Sequence, residues 1–222
     1  QYFDRKAYLA QSPQFYKQMM VGAGYERVFE VGKAYRAEKH DTSRHINEYV
    51  SLDLEMGFIE SFHTLMDLET ELMRFIINKL ANKCKKEINI LNISLPEIPE
   101  NIPYLTFNEA REILSEKYNK SLSKGDINPA EEKMLFEWAG EELNSQWLFI
   151  TRYPSAKRPF YTMPDMDNRK WTKSFDLLFR GIEVTTGGQR IHDYGLLKEN
   201  MKKFGLVPNN YLSYLDIFKY GM

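Results

Sequence analysis

From Tyr35 to His45 the chain reads YRAEKHDTSRH, which sets Arg36, Lys39, Arg44, His40 and His45 beside the carboxylates Glu38 and Asp41. Guanidinium and ammonium groups pair with phosphate oxygens, and a carboxylate among them can accept a hydrogen bond from the amino group of adenine. A nucleoside triphosphate needs that mixture. A solvated hairpin with a charged tip is the plainer alternative, because charged side chains are mostly exposed.

The flanks of this stretch must position those groups. Side chains alternate faces along a strand, so Glu30, Gly32, Ala34, Arg36 and Glu38 share one face of the incoming strand. Tyr49, Ser51, Asp53, Glu55 and Gly57 share one face of the outgoing strand, and Val50, Leu52, Leu54, Met56 and Phe58 share the other. The apolar face predicts packing onto a core. Asp53 and Glu55 are costly to bury unpaired, so their face meets water or lines a polar cavity.

The elements around the hairpin follow from local signals. SPQFYKQMMVGAGY predicts a helix with Ser12 as N-cap, Pro13 first in the helix and Gly22 or Gly24 ending it. Gln14 and Lys17, three apart, then point to one side. Strands are expected over 25–38 and 46–58, and a long helix from Phe62 to Lys83 whose stripe of Leu65, Met66, Leu72, Met73, Ile76, Ile77 and Leu80 faces a core. Residues 88–104 carry three prolines and read as a connector. Thr106 with Glu109 spells a capping box for a helix over 107–118, and Asn128–Pro129 opens another to about Leu143. The stretch 105–144 therefore reads as a small helical insertion. WLFITRYP and PFYTM are expected strands, 174–185 one longer strand, Asp193–Phe204 a helix stopped by Gly205, and Pro208 the start of a last helix.

Bulk properties bound the function. The 222 residues are 43% hydrophobic, enough for one large or two small domains, and the net charge of −1 gives no general attraction for nucleic acid or anionic membrane. Cys84 is the single cysteine, which excludes a disulfide framework and fits the cytoplasm. No apolar run spans a bilayer. The opening residues read as a strand entered partway, as in a fragment.

FEVGKAYRAEKHDTSRHINEYVSLDLEM resembles motif 2 of the class II aminoacyl-tRNA synthetases. YLAQSPQFYKQ and SFDLLFRGIEVTTGGQRIHDYG resemble the aspartyl branch of that family, in its archaeal and eukaryotic form. The resemblance implies an α+β fold, an antiparallel β-sheet flanked by helices, and residues 1–222 as part of a catalytic domain. It implies ATP, Mg2+, L-aspartate and tRNA(Asp) as ligands and partners, a homodimer in the full-length protein, and no membrane association. It gives Arg36 the α-phosphate and the amino acid carboxylate, Glu38 the adenine amino group, Arg44 and His45 the outer phosphates, and Tyr49 the adenine face. Ile46 joins this nucleotide set, as does Glu183. Ser12, Gln14, Phe15, Tyr16, Lys17, Asp53, Thr186 and Arg190, with Ser51 less directly, fall on the aspartate pocket, Arg190 clamping the side-chain carboxylate. Glu183 and Thr186 match a metal-binding pair; spacing alone makes EVTTGGQR a weak metal signal. Tyrosine stands in this motif 2 where phenylalanine is common, and threonine at 186 where serine is frequent; ring and hydroxyl are retained. His192 with Asp193 could suggest a catalytic dyad, but a helix cap is the simpler role.

The implied chemistry needs no protein base or nucleophile: the aspartate carboxylate attacks the α-phosphorus in line, and the adenylate passes to the tRNA ribose. Lys17 and Arg190 would be under-compensated by a neutral amide, which argues against asparagine. Motif 1, the anticodon-binding barrel and the glycine-rich motif 3 expected after IFKYGM are missing from the sequence. A fragment of this kind is expected to activate aspartate poorly. Two alternatives stand beside an aspartate–tRNA ligase: an ammonia-dependent asparagine synthetase on the same adenylate site, and a non-catalytic paralogue serving as a binding module.

Overall fold

The computed structural model of the chain describes residues 3–39, 46–119 and 126–221. The fold is α+β and divides into two compact units, Gln1–Ile59 with His192–Met222, and Glu60–Ile191.

In the first unit α1 (Gln14–Gly22) precedes the hairpin β1 (Arg27–Tyr35) and β2 (Glu48–Met56). Pro13 occupies the N-cap position itself, one residue later than the sequence predicts, and the Ser12 hydroxyl accepts from Gln14 N at 3.4 Å. The antiparallel register pairs Ala34 with Tyr49, Gly32 with Ser51 and Glu30 with Asp53, so the two polar faces expected from alternation are one face. Its opposite face departs from expectation. Phe29, Val31, Val50 and Leu52 are each more than half exposed, so no core covers them among the described residues. Alternation reports which face is apolar; what packs against it is set elsewhere in the chain or outside it. Here α1 lies on the polar face, where Lys17 is 4% exposed.

The rest of this unit is α6 (Tyr194–Lys203) and α7 (Leu212–Leu215) with flanking 3-10 turns. Asp193 caps α6 by accepting from Leu196 N at 2.6 Å, and Gly205 follows the helix at φ 75°. The single helix expected from Pro208 is instead a series of short turns, 208–211, 212–215 and 216–220.

The second unit is built on a four-stranded sheet in the order β3 (Tyr104–Thr106), β4 (Trp147–Thr151), β5 (Ser174–Phe179), β6 (Ile182–Gly188). β3 runs parallel to β4 and the other pairs are antiparallel. All of β4 is buried because both faces of the sheet are covered. Leu148, Ile150 and Leu178 meet Leu114 of α4 (Phe107–Tyr118) and Leu135 and Ala139 of α5 (Pro129–Leu143). Trp147, Phe149, Phe175 and Leu177 meet Phe62 and Met66, the latter on α2 (His63–Lys83). The predicted capping box of Thr106 with Glu109 forms, and Asn128, expected only as a helix start, makes a second one with Glu131. α4 and α5 thus supply one of the two cores; burying each leucine contributes about 1.5–3 kcal/mol.

Three expectations are corrected here. Residues 88–91 are not connector but the end of α3 (Lys85–Leu91), which Asn92 terminates in the left-handed region. The stretch 174–185 is not one strand: Arg180 and Gly181 both take positive φ, 50° and 73°, and fold it into a two-residue hairpin. PFYTM forms no strand, only the bridge Thr162 to Arg190 and another at Pro164. Among the described residues no helix is long and apolar enough to cross a membrane.

Candidate active site

The first unit gathers its chemistry on the polar face of the hairpin. Lys17, carried there by α1, places Nζ 3.1 Å from Asp53 Oδ1 and 3.6 Å from Glu55 Oε2, and donates to Leu54 O at 3.3 Å. Gln14 Nε2 donates to Glu55 Oε2 at 2.9 Å, so the expected pairing of Gln14 and Lys17 on one helix side is met. The lysine is therefore not an unneutralised cation awaiting an acid: of the expected pair Lys17 and Arg190, the lysine is already balanced by two carboxylates of its own sheet. Ser51 lies on the same face, opposite Gly32. Arg36 follows the end of β1, tied by its N–H to Asn47 O at 2.9 Å; its exposed guanidinium lies 5.5 Å from the centre of the Tyr49 ring. Glu38 is half-buried. Phe15 makes an edge contact with Tyr214 at 5.4 Å, while Tyr16, Ser12 and Ile46 are exposed. Arg44 and His45 lie outside the described residues.

The second unit gathers its own set on the β5–β6 hairpin. Glu183 and Thr186 are three apart, which in a regular strand would put them on opposite faces. The register prevents this: Asp176 pairs with Thr186, Leu177 with Thr185 and Leu178 with Glu183, leaving Val184 as a bulge. Asp176, Glu183 and Thr186 consequently share one face. Thr186 Oγ1 donates to Asp176 Oδ1 at 2.6 Å. Arg158 Nη2 lies 2.7 Å from Asp176 Oδ2, and its Nη1 donates to Thr186 Oγ1 at 3.3 Å. Burial first, and then the Asp176 charge, push the Glu183 carboxyl up to about 7, against the pull of Arg158. On the opposite face α2 brings Glu69, whose carboxyl is also pushed up to about 7, mainly by burial, while the Thr185 hydroxyl acts the other way. Arg190, beyond β6, stacks its guanidinium 4.0 Å from the centre of the Tyr161 ring.

The comparisons with known proteins cover the chain as a whole. The family description "tRNA synthetases class II (D, K and N)" matches residues 1–222. The chain belongs to the class II tRNA synthetases. Among curated relatives of this class II synthetase, the aspartate–tRNA(Asp/Asn) ligase of Thermus thermophilus is 50% identical over 221 residues, all of this chain and 51% of that protein. That of Deinococcus radiodurans is 47% identical over 226 residues, 100% of this chain and 52% of that protein. Of solved structures, the aspartyl-tRNA synthetase from Entamoeba histolytica superposes with a TM-score of 0.89 at 34% identity, over 95% of this chain and 44% of that one. The asparaginyl-tRNA synthetase from Pyrococcus horikoshii, complexed with asparaginyl-adenylate, gives 0.87 at 30% identity, over all of this chain and 50% of that one. The synthetase chain spans about half the length of the curated relatives it matches.

Three neighbours of the synthetase's predicted residues went unread in the sequence. Asp176 and Arg158 sit against Thr186, and Tyr161 carries Arg190. Asp176 lies at a buried position in an apolar strand, and that cost was the available signal. Arg158 falls between two expected strands, where alternation says nothing, and Tyr161 lies in PFYTM, which was expected to be a strand and is not. Among the described residues no three His, Cys, Asp or Glu side chains converge as metal ligands. Asp176, Glu183 and Thr186 nonetheless offer only oxygen donors on one face, the donor type Mg2+ prefers while keeping most of its shell for water and phosphate. These residues fit that ion.

Proposed function

We propose that the protein to which this chain belongs is an aspartate–tRNA ligase, which activates L-aspartate with ATP and transfers it to tRNA(Asp), working as a homodimer. The observation that carries the reading is the match of the whole chain, over about half of each relative, to proteins of that name at 41–50% identity, combined with a polar hairpin face that bears Asp53 and Tyr49, meets Lys17 of α1 and ends beside Arg36.

Each residue then has a task. Asp53, fixed by Lys17, accepts from the α-amino group, and Gln14 completes that wall. Arg36 faces the α-phosphate and the attacking carboxylate, where negative charge concentrates as the new bond forms. Tyr49 offers its ring to the adenine and Glu38 accepts from the adenine amino group. Mg2+ held by Glu183 and Thr186 would supply neutralisation of phosphate charge. Arg190 meets the aspartate side chain. Because Lys17 is already balanced, discrimination between acid and amide rests on Arg190, whose fork matches a carboxylate in two hydrogen bonds.

Calorimetric titration with L-aspartate and L-asparagine, in the presence of ATP, tests this. Aspartate is expected to bind the more tightly, and Arg190→Met to erase the preference. Asparagine binding as tightly as aspartate to the unaltered protein would overturn the substrate assignment.

A further inference from the structure

Arg158 is a largely buried cation in contact with the Asp176–Thr186 pair. It lies in the irregular segment between β4 and β5, just after the 3-10 turn Ser155–Lys157. Its guanidinium lies over the Tyr153 ring, 3.8 Å from the centre, and its side chain is 15% exposed. Its contacts are Asp176 Oδ2 at 2.7 Å from Nη2 and Thr186 Oγ1 at 3.3 Å from Nη1. The ion pair is close but badly aligned. Neither Nη2 nor Nε completes a hydrogen bond, although both are buried. An unsatisfied buried donor is costly, so this seat holds the guanidinium by charge and stacking and not by a fitted fork.

Thr186 Oγ1 spends its proton on Asp176 and a lone pair on Arg158. A divalent cation using that hydroxyl and the Glu183 carboxylate would have the guanidinium as an immediate like-charged neighbour, at short range and away from bulk water, where repulsion is strong. The geometry points to Arg158 as a built-in, displaceable counter-cation: it occupies the Asp176–Thr186 pair when no metal is present and withdraws from Thr186 when a divalent cation arrives. It is a positioning residue that keeps the carboxylates balanced and holds metal affinity low in the absence of nucleotide. This inference rests on the reading of Glu183 and Thr186 as cation ligands.

The test is Mn2+ binding to the intact chain without aspartate or ATP, read by electron paramagnetic resonance and calorimetry. Arg158→Met keeps the apolar stem over Tyr153 and removes the charge. It is expected to bind Mn2+ at least about tenfold more tightly than the unaltered chain. Arg158→Lys, which keeps the charge, should stay near the unaltered value. Adding Glu183→Gln to Arg158→Met should erase the gain. Equal or weaker Mn2+ binding by Arg158→Met overturns the inference, as does a gain that survives Glu183→Gln. Should Arg158→Met fail to fold, Mg2+ titration of the 15N-labelled unaltered chain decides. The Arg158 Nε–H signal is expected to shift saturably, and a signal unchanged through saturation overturns the inference. No outcome here depends on aspartate, so the substrate titration and this experiment fail separately.

Discussion

Lys17 and Asp53 form a part-buried ion pair, 3.1 Å between Nζ and Oδ1, in which a buried helix residue neutralises the strand it lies on. Glu55 stands as a second partner at 3.6 Å. The cluster is self-contained, and that gives it a structural weight separate from any ligand.

Asp53→Asn should therefore destabilise the unit formed by Gln1–Ile59 and His192–Met222, because of its two carboxylates Lys17 keeps only the farther, Glu55. The loss is expected to be about 1–3 kcal/mol, the cost of a buried group left under-satisfied. Urea unfolding followed by circular dichroism measures it. Tryptophan fluorescence would be blind to this unit, since Trp138, Trp147 and Trp171 all lie in the other.

Tyr161 is expected to set the aspartate affinity through Arg190, which it holds by a 4.0 Å stacking contact. Tyr161→Leu should weaken aspartate binding by about 2–10-fold, the range of a partly exposed cation–π contact, and Tyr161→Phe should restore most of it. Calorimetry on the two variants checks both statements.

Glu69 predicts a pH dependence with a definite sign. Its carboxyl is raised to about 7 in the fold by burial, against an ordinary 4.5. A raised acid favours the folded state when protonated, so its contribution is complete below about pH 4.5 and lost as pH rises through about 7. Glu69→Gln cannot ionise and should gain on the unaltered protein by about 3 kcal/mol between the two limits. Urea midpoints at pH 5 and pH 8 test this; a gap independent of pH would refute it.

Gly188 closes β6 two residues before Arg190, and a Cβ there would lie 2.8 Å from Lys173 O and 2.9 Å from Ser174 Cα. Backbone cannot swing aside as a side chain can. Gly188→Ala should cost about 1–3 kcal/mol in thermal melts and weaken aspartate binding with it.

Much of this fold was legible because its signals are local. The capping box at Thr106 and the Asn128–Pro129 pair fixed two helix starts to the residue, and alternation placed Asp53 and Glu55 on one face. What escaped depended on partners distant in sequence. SFDLLFRGIEVTT is interrupted only by the two residues Arg180–Gly181, too short a break to separate two strands by pattern alone. The apolar face of β2 was expected to be covered and is open. Arg158 meets Asp176 across a segment with no period at all. For the candidate site, the residues that could be placed were those borne on strands and helix α1; their supports, Tyr161 and Arg158, were not.

Strand side chains keep count in twos, and a separation of three ought to scatter the oxygens of Glu183 and Thr186. Val184, unmatched in the ladder, is the spare residue that restores parity. Its removal alone would straighten the strand and still leave both oxygens looking the same way, because Glu183 and Thr186 would then be two apart. The site thus tolerates shortening at one position, and a search for similar sites should look for a carboxylate and a hydroxyl either two apart or three apart with a bulge.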